Sequence, residues 1–124
     1  MTFRRVLVSA LALVALMAVA TPTTAASFRV KASGSPGSFS WQPDFRHITK
    51  GDRIVWKNPT SSTHRVTAYT SNWSKDSEVP SGNRTRKRFK KPGLYGYRCT
   101  VTGHSSVSGG ECSGMCGEIH VTRN

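Results

Sequence analysis

Acidic side chains are scarce in this sequence: six Asp and Glu stand against 18 Lys and Arg in 124 residues, a formal net charge of +12. An imbalance of that size points to an anionic partner. For a cytoplasmic protein that partner would be nucleic acid; for an exported one it would be an acidic protein, an anionic cell-wall polymer or a membrane surface. No apolar run reaches the length of a membrane span. The longest, Val6 to Ala20, has about 15 residues, against roughly 20 for a spanning helix. No internal repeat and no second domain is visible, and the length suits a single domain. Cysteine is nearly absent, with three copies, Cys99, Cys112 and Cys116. In an oxidising compartment an odd number leaves one thiol without an internal partner, and a metal is the obvious occupant of such a thiol.

What is there begins with an address. Arg4-Arg5 precedes the apolar run, and Thr23-Thr24-Ala25-Ala26 supplies small residues after it. That order predicts a secretory signal peptide over 1–26, cleaved after Ala25 or Ala26, with Sec export favoured because the surroundings of Arg4-Arg5 fit a twin-arginine signal poorly. The protein is therefore expected to be extracellular, periplasmic or at the cell surface, with no nucleic-acid partner. The remaining domain, 27–124, keeps an excess of about ten basic over acidic side chains.

The mature part alternates polar and apolar residues in short runs broken by turn signals. Such runs are Phe28–Ala32, Ser38–Trp41, Phe45–Thr49, Arg53–Lys57, His64–Tyr69, Thr85–Lys90, Leu94–Cys99 and Glu118–Thr122. Period-two alternation at this spacing, without a helical period, predicts an all-β sandwich or barrel of about eight strands with no major helix. Ser71–Asn83 and Gly103–Gly114 read as loops. Within the basic run Arg84–Lys91, alternation puts Arg86, Arg88 and Lys90 on one face, opposite Phe89. That face is either a solvated strand surface that discourages edge pairing or a docking patch for an acidic partner.

Three soft or borderline metal ligands crowd the C-terminal part: Cys99, His104 and Met115. A fourth, His64, begins an upstream strand. Two imidazoles and a thiolate with a distant thioether form the donor set of a blue-copper site. Sulfur favours Cu(I) and imidazole tolerates Cu(II), so a site between the two preferences switches with little rearrangement. His47 and His120 read as surface residues, and Trp41, Trp56, Tyr95 and Tyr97 as core. Trp73, in a polar stretch, reads as an exposed contact.

Gly51-Asp52-Arg53-Ile54-Val55-Trp56-Lys57-Asn58, followed by His64-Arg65-Val66, resembles the first half of the plastocyanin/azurin pattern of cupredoxins. Phe89–Cys99 resembles the second half, and Gly114-Met115 with Gly117–Val121 its ending. The resemblance implies a Greek-key β-sandwich, one type 1 copper ion and electron transfer. By position it implies His64, Cys99 and His104 as equatorial ligands, Met115 as axial ligand, and Asn58 as the residue that steadies the ligand loops.

The chain departs from the family's simple members in the spacing of ten residues between His104 and Met115, and in carrying Cys112 and Cys116 there. These two cysteines are expected to form a disulfide that pinches the enlarged loop and presents Met115 from its tip, although cysteines four apart reach bonding distance only in some turn geometries. Cys112 otherwise competes with Met115 for the copper. A structural zinc module on Cys99, His104, Cys112 and Cys116 is an alternative, as is copper delivery or sequestration through the blue-copper ligands. An enzyme is not expected. Arg98 and Thr100 flank Cys99 where multicopper oxidases carry histidines, and four ligands leave no open position for substrate. The expected partner is a redox protein with an acidic docking face, met by a monomer; association with an anionic cell surface is a further expectation.

Overall fold

The computed structural model describes residues 24–124 together with residues 14 and 15, and the expected leader, 1–26, lies almost wholly outside the described residues. Among the described residues there are strands and no helix. The strands are β1 Ser27–Ser33, β2 Ser40–Gln42, β3 Phe45–Thr49, β4 Arg53–Lys57, β5 His64–Ala68, β6 Asp76–Val79, β7 Arg84–Arg88, β8 Gly93–Arg98, β9 Ser105–Ser108, β10 Glu111–Gly114 and β11 Cys116–Thr122. They form a four-stranded sheet, β2-β1-β4-β7, and a five-stranded sheet, β3-β11-β8-β5-β6, with β9-β10 as a separate hairpin. β1 runs parallel to β4 and β3 parallel to β11, while the other pairings are antiparallel.

Eight of the strands coincide with the alternating runs of the sequence. The other three correct it. The stretch read as a loop over 71–83 contains β6, whose outward Asp76 and Glu78 leave only Val79 buried. The stretch read as a loop over 103–114 folds into β9 and β10, turned by Gly109 and Gly110 at φ 59° and 81°. Two successive positive-φ residues suit the tight turn of a two-residue hairpin, and glycine adopts that conformation without steric penalty.

Each sheet buries every second residue between the layers. From the four-stranded sheet come Val30, Ala32, Trp41, Ile54 and Trp56; from the five-stranded sheet come Val66, Tyr95, Tyr97, Ile119 and Val121. Trp41 and Trp56 reach across to Tyr97, with ring centroids 6.2 and 5.2 Å away and edge-on geometry. Each large apolar side chain buried in this way contributes about 1.5–3 kcal/mol relative to exposure. Close approach fixes one glycine: a Cβ at Gly117 would overlap the Tyr97 hydroxyl. Trp73 is not the exposed contact expected of it. Its ring packs against Trp56, Phe89 and Tyr95, and its Nε1 donates to the Gly96 carbonyl at 3.0 Å.

Candidate metal centre

The parity that builds the core also builds the site. His64 shares the inward face of β5 with Val66. Cys99 continues the inward series Tyr95, Tyr97 of β8. Met115 precedes the inward series Gly117, Ile119, Val121 of β11. All three are fully buried. His104, half-buried, follows the turn after β8 and donates its backbone N–H to Val101 O at 3.0 Å. His64, Cys99 and His104 bring one ligand atom each within 4.8 Å of one another. The edges of the triangle are 3.2 Å between the two Nδ1 atoms, 3.3 Å from Cys99 Sγ to His104 Nδ1, and 3.8 Å from Cys99 Sγ to His64 Nδ1. An ion bonded at about 2.0–2.1 Å to nitrogen and about 2.3 Å to sulfur in a trigonal plane would set these edges at roughly 3.5–3.8 Å. The donor set therefore fits a metal with adjustments of a few tenths of an ångström.

Hydrogen bonding behind His64 aims its lone pair at that triangle. The Thr60 hydroxyl donates to Asn58 Oδ1 at 2.6 Å and lies 2.8 Å from His64 Nε2. With its proton committed, the hydroxyl accepts from Nε2–H, which leaves Nδ1 unprotonated and facing Cys99 and His104. Asn58 is itself buried and fully partnered. Its Nδ2 donates to Ser62 O and Val79 O at 2.6 and 2.8 Å, and Thr60 N–H donates to its Oδ1 at 3.0 Å. These bonds tie the His64 loop to β6; Asn58 steadies that loop and not the one carrying Cys99. Burial, and then the neighbouring His104, lower the His64 pKa to about 4, so its imidazole is neutral at ordinary pH. The Arg65 backbone N–H points at Cys99 Sγ from 3.3 Å, a donor placed to stabilise a thiolate.

The enlarged loop reaches the site without strain on the spacing. Because β9 and β10 pair Ser105 with Gly114, His104 and Met115 form the next rung at the hairpin base. Met115 N–H donates to His104 O at 2.8 Å, and Cys99 N–H donates to Met115 O at 2.9 Å. Met115 therefore sits at the base of the loop, and the expected presentation from its tip is wrong. Gly114 is required here, with φ +89° and a would-be Cβ 2.6 Å from His104 O.

Cys112 and Cys116 are joined as a disulfide, as expected, and Cys99 is the free cysteine. The bridge ties β10 to the start of β11. It also overturns the zinc alternative and the competition of Cys112 for copper, since disulfide sulfurs offer no thiolate.

Phe39, just before β2, packs edge-on against His64 at 4.7 Å and tilted against His104 at 5.0 Å; Trp41 lies 6.0 Å from His64. Sequence reasoning placed both aromatics on one alternating run without linking them to the site. It missed Thr60 altogether, whose one signal is a hydroxyl two residues after Asn58 and four before His64. His47 and His120 lie elsewhere, stacked at 4.8 Å on the outer surface of the five-stranded sheet.

No family model matches the sequence, and no curated protein matches it. Solved structures match its fold. A novel purple cupredoxin from Nitrosopumilus maritimus superposes with a TM-score of 0.59 at 17% identity, over 76% of this chain and 98% of that one. A reduced tryptophan-to-tyrosine variant of amicyanin gives 0.60 at 17% identity, over 77% and 81% of the two chains. The reduced Cu(I) form of a proline-to-glycine variant of amicyanin gives 0.60 at 18% identity, with the same coverage. The chain has the cupredoxin fold.

Proposed function

We propose that this is a copper-binding electron-transfer protein with a single type 1 copper ion, held by His64, Cys99 and His104 with Met115 as axial ligand. The observation that carries the reading is the convergence of two imidazole Nδ1 atoms and one thiol sulfur between the sheets. Copper at such a donor set supplies a one-electron couple between Cu(I) and Cu(II). The protein's own residues do the positioning. Thr60 orients His64, Arg65 N–H supports the Cys99 sulfur, and Phe39 and Trp41 cover the imidazoles and exclude water. His104 is the one half-buried member of the triad and the route by which an electron leaves for a partner.

The chain acts as a monomeric carrier and not as an enzyme, since four ligands leave no position for a substrate. It works outside the cytoplasm after loss of residues 1–26, with an acidic redox protein as partner and an anionic cell surface as its surroundings. Opposite charges of this kind steer association, so the electron-transfer rate should fall as ionic strength rises.

The test is an optical and EPR spectrum of the copper-loaded protein. An intense visible charge-transfer band is expected, absent in Cys99→Ser and retained but shifted in Met115→Leu. Loading without such a band would refute the type 1 assignment. Ready transfer of Cu(I) to a chelator on reduction would replace the carrier with a copper-delivery protein using the same residues.

A further inference from the structure

The outer surface of the four-stranded sheet is a lattice of cations. Val30, Ala32, Ile54 and Trp56 point into the core, so the alternate residues of β1 and β4, and the β7 residues in register with them, face solvent. The pairing registers place these in three rows. Arg53 stands opposite Arg88, Arg29 and Arg86 flank Val55, and Lys31, Lys57 and Arg84 lie side by side. β2 adds the neutral Ser40 and Gln42. No acidic residue lies on the outward positions of these strands. The salt bridges among the described residues are both made by Arg65, on the other sheet. Crowding is measurable within the lattice: the Lys57 pKa is held below the ordinary lysine range by Arg29 first, then burial, Arg84 and Lys31.

Like charges opposite one another on a sheet are destabilising, so this arrangement opposes folding. Protection of an exposed edge explains cations on β7, which is an edge strand. It does not explain Arg29 and Lys31 on β1, or Arg53 and Lys57 on β4, because both strands are central.

We propose that this face is a docking surface for a linear phosphodiester polymer. Along β1 and β7 cations repeat at every second residue, about 6.6–6.8 Å, close to the step between successive phosphates in an extended phosphodiester chain; on β4, Val55 interrupts the repeat between Arg53 and Lys57. Five of the seven are arginines, whose planar forks pair with phosphate oxygens. Val55 is the single apolar residue among the rows. The face therefore lacks the buried aromatic anchors of a protein interface and the apolar side chains that insert into a bilayer. What remains is charge on a flat grid, which an unbranched polyanion exploits by releasing its counterions. The proposal gives a chemistry to the anionic surroundings suggested above and is independent of the copper assignment, since the metal triad lies inside the sandwich.

The test is the binding of a synthetic poly(glycerol phosphate) to the copper-loaded protein across a salt series. With all seven cations engaged, log K should fall against log[salt] with a slope of about −5, at roughly −0.7 per neutralised phosphate. Arg29→Gln with Arg86→Gln should weaken binding at least roughly tenfold and reduce the slope by about 1.4. Lys50→Gln with Arg123→Gln, just beyond β3 and β11 of the other sheet, removes the same charge outside the rows and should leave binding within about twofold. Equal losses from the two pairs would reduce the effect to net charge and overturn the proposal. So would equal binding of poly-glutamate, which indicates an acidic protein, or tighter binding to phosphatidylglycerol vesicles, which indicates a membrane. The visible spectrum, read on the same samples, should be identical in all variants, so loss of copper and loss of polymer binding are separately visible.

Discussion

The two sheets share a core and differ in almost everything else. The five-stranded sheet holds or borders three of the candidate ligands: His64 opens β5, Cys99 follows β8 and Met115 precedes β11. Its outer surface mixes signs, with Arg65 paired to Asp76 at 2.8 Å and to Glu78 at 3.6 Å. The four-stranded sheet supplies none of the candidate ligands. It contributes the aromatics that roof the imidazoles on its inside, and unpaired cations on its outside. Metal chemistry requires convergence, which strand ends meeting at one end of a sandwich provide. Charge display requires spread, which a sheet face provides. The fold keeps the two demands apart by giving each its own layer.

The sharpest way to break this division is Trp41→Ala. If the four-stranded sheet acts on the site only through packing, the loss should appear as global destabilisation of about 3–5 kcal/mol in urea unfolding, with the visible band of the copper protein kept. Loss of the band in a still-folded variant would make the sheet part of the metal centre.

Acid should next separate the layers. In the metal-free protein the folded-state pKa of His64 lies near 4, below its ordinary value of 6.5. The unfolded chain therefore takes up a proton that the folded chain refuses. Stability should decline as pH falls from about 6.5 to about 4 and level off below. His64→Gln should flatten that part of the profile in denaturant titrations.

A smaller effect is expected for Thr60→Val, which leaves His64 Nε2–H and Asn58 Oδ1 without their shared hydroxyl. Stability should fall by about 1–3 kcal/mol and copper affinity by roughly 10–100-fold, as read by competition with a chelator. An unchanged affinity would remove Thr60 from the support of the site. The smallest effect belongs to Asp76→Asn on the outer surface. The Arg65 hydrogen bond, above all, lowers the Asp76 pKa, so its contribution is present above the ordinary aspartate range and is lost as pH falls through the folded value. Wild type and variant should differ slightly at neutral pH in low salt and converge in acid or high salt.

How much of this the sequence displayed follows from where side chains point. Strands with one face in the core, such as Arg53–Lys57 and Cys116–Thr122, write that face as alternation and were legible. β9 and β10 have no buried face, so Gly and Ser there resembled a loop, although Gly109-Gly110 marked the turn. β6 showed only Val79. In the site, His64, Cys99 and His104 stood out as soft or borderline metal ligands set in segments that resemble the cupredoxin pattern. Met115, expected as axial ligand at the tip of its loop, lies at the base of that loop, because one two-residue turn folds the ten intervening residues into a hairpin. Thr60 acts through one hydroxyl, and a single threonine carries no pattern.

Trp41 gives the site an optical gauge of its own. Its ring is wholly shielded from water and lies 6.0 Å from the His64 ring. Its fluorescence should be emitted at short wavelength, as from an indole in hydrocarbon, and be quenched when a redox-active ion is seated beside that imidazole. Filling and emptying of the centre can then be followed by the protein's own light, even in the colourless reduced state.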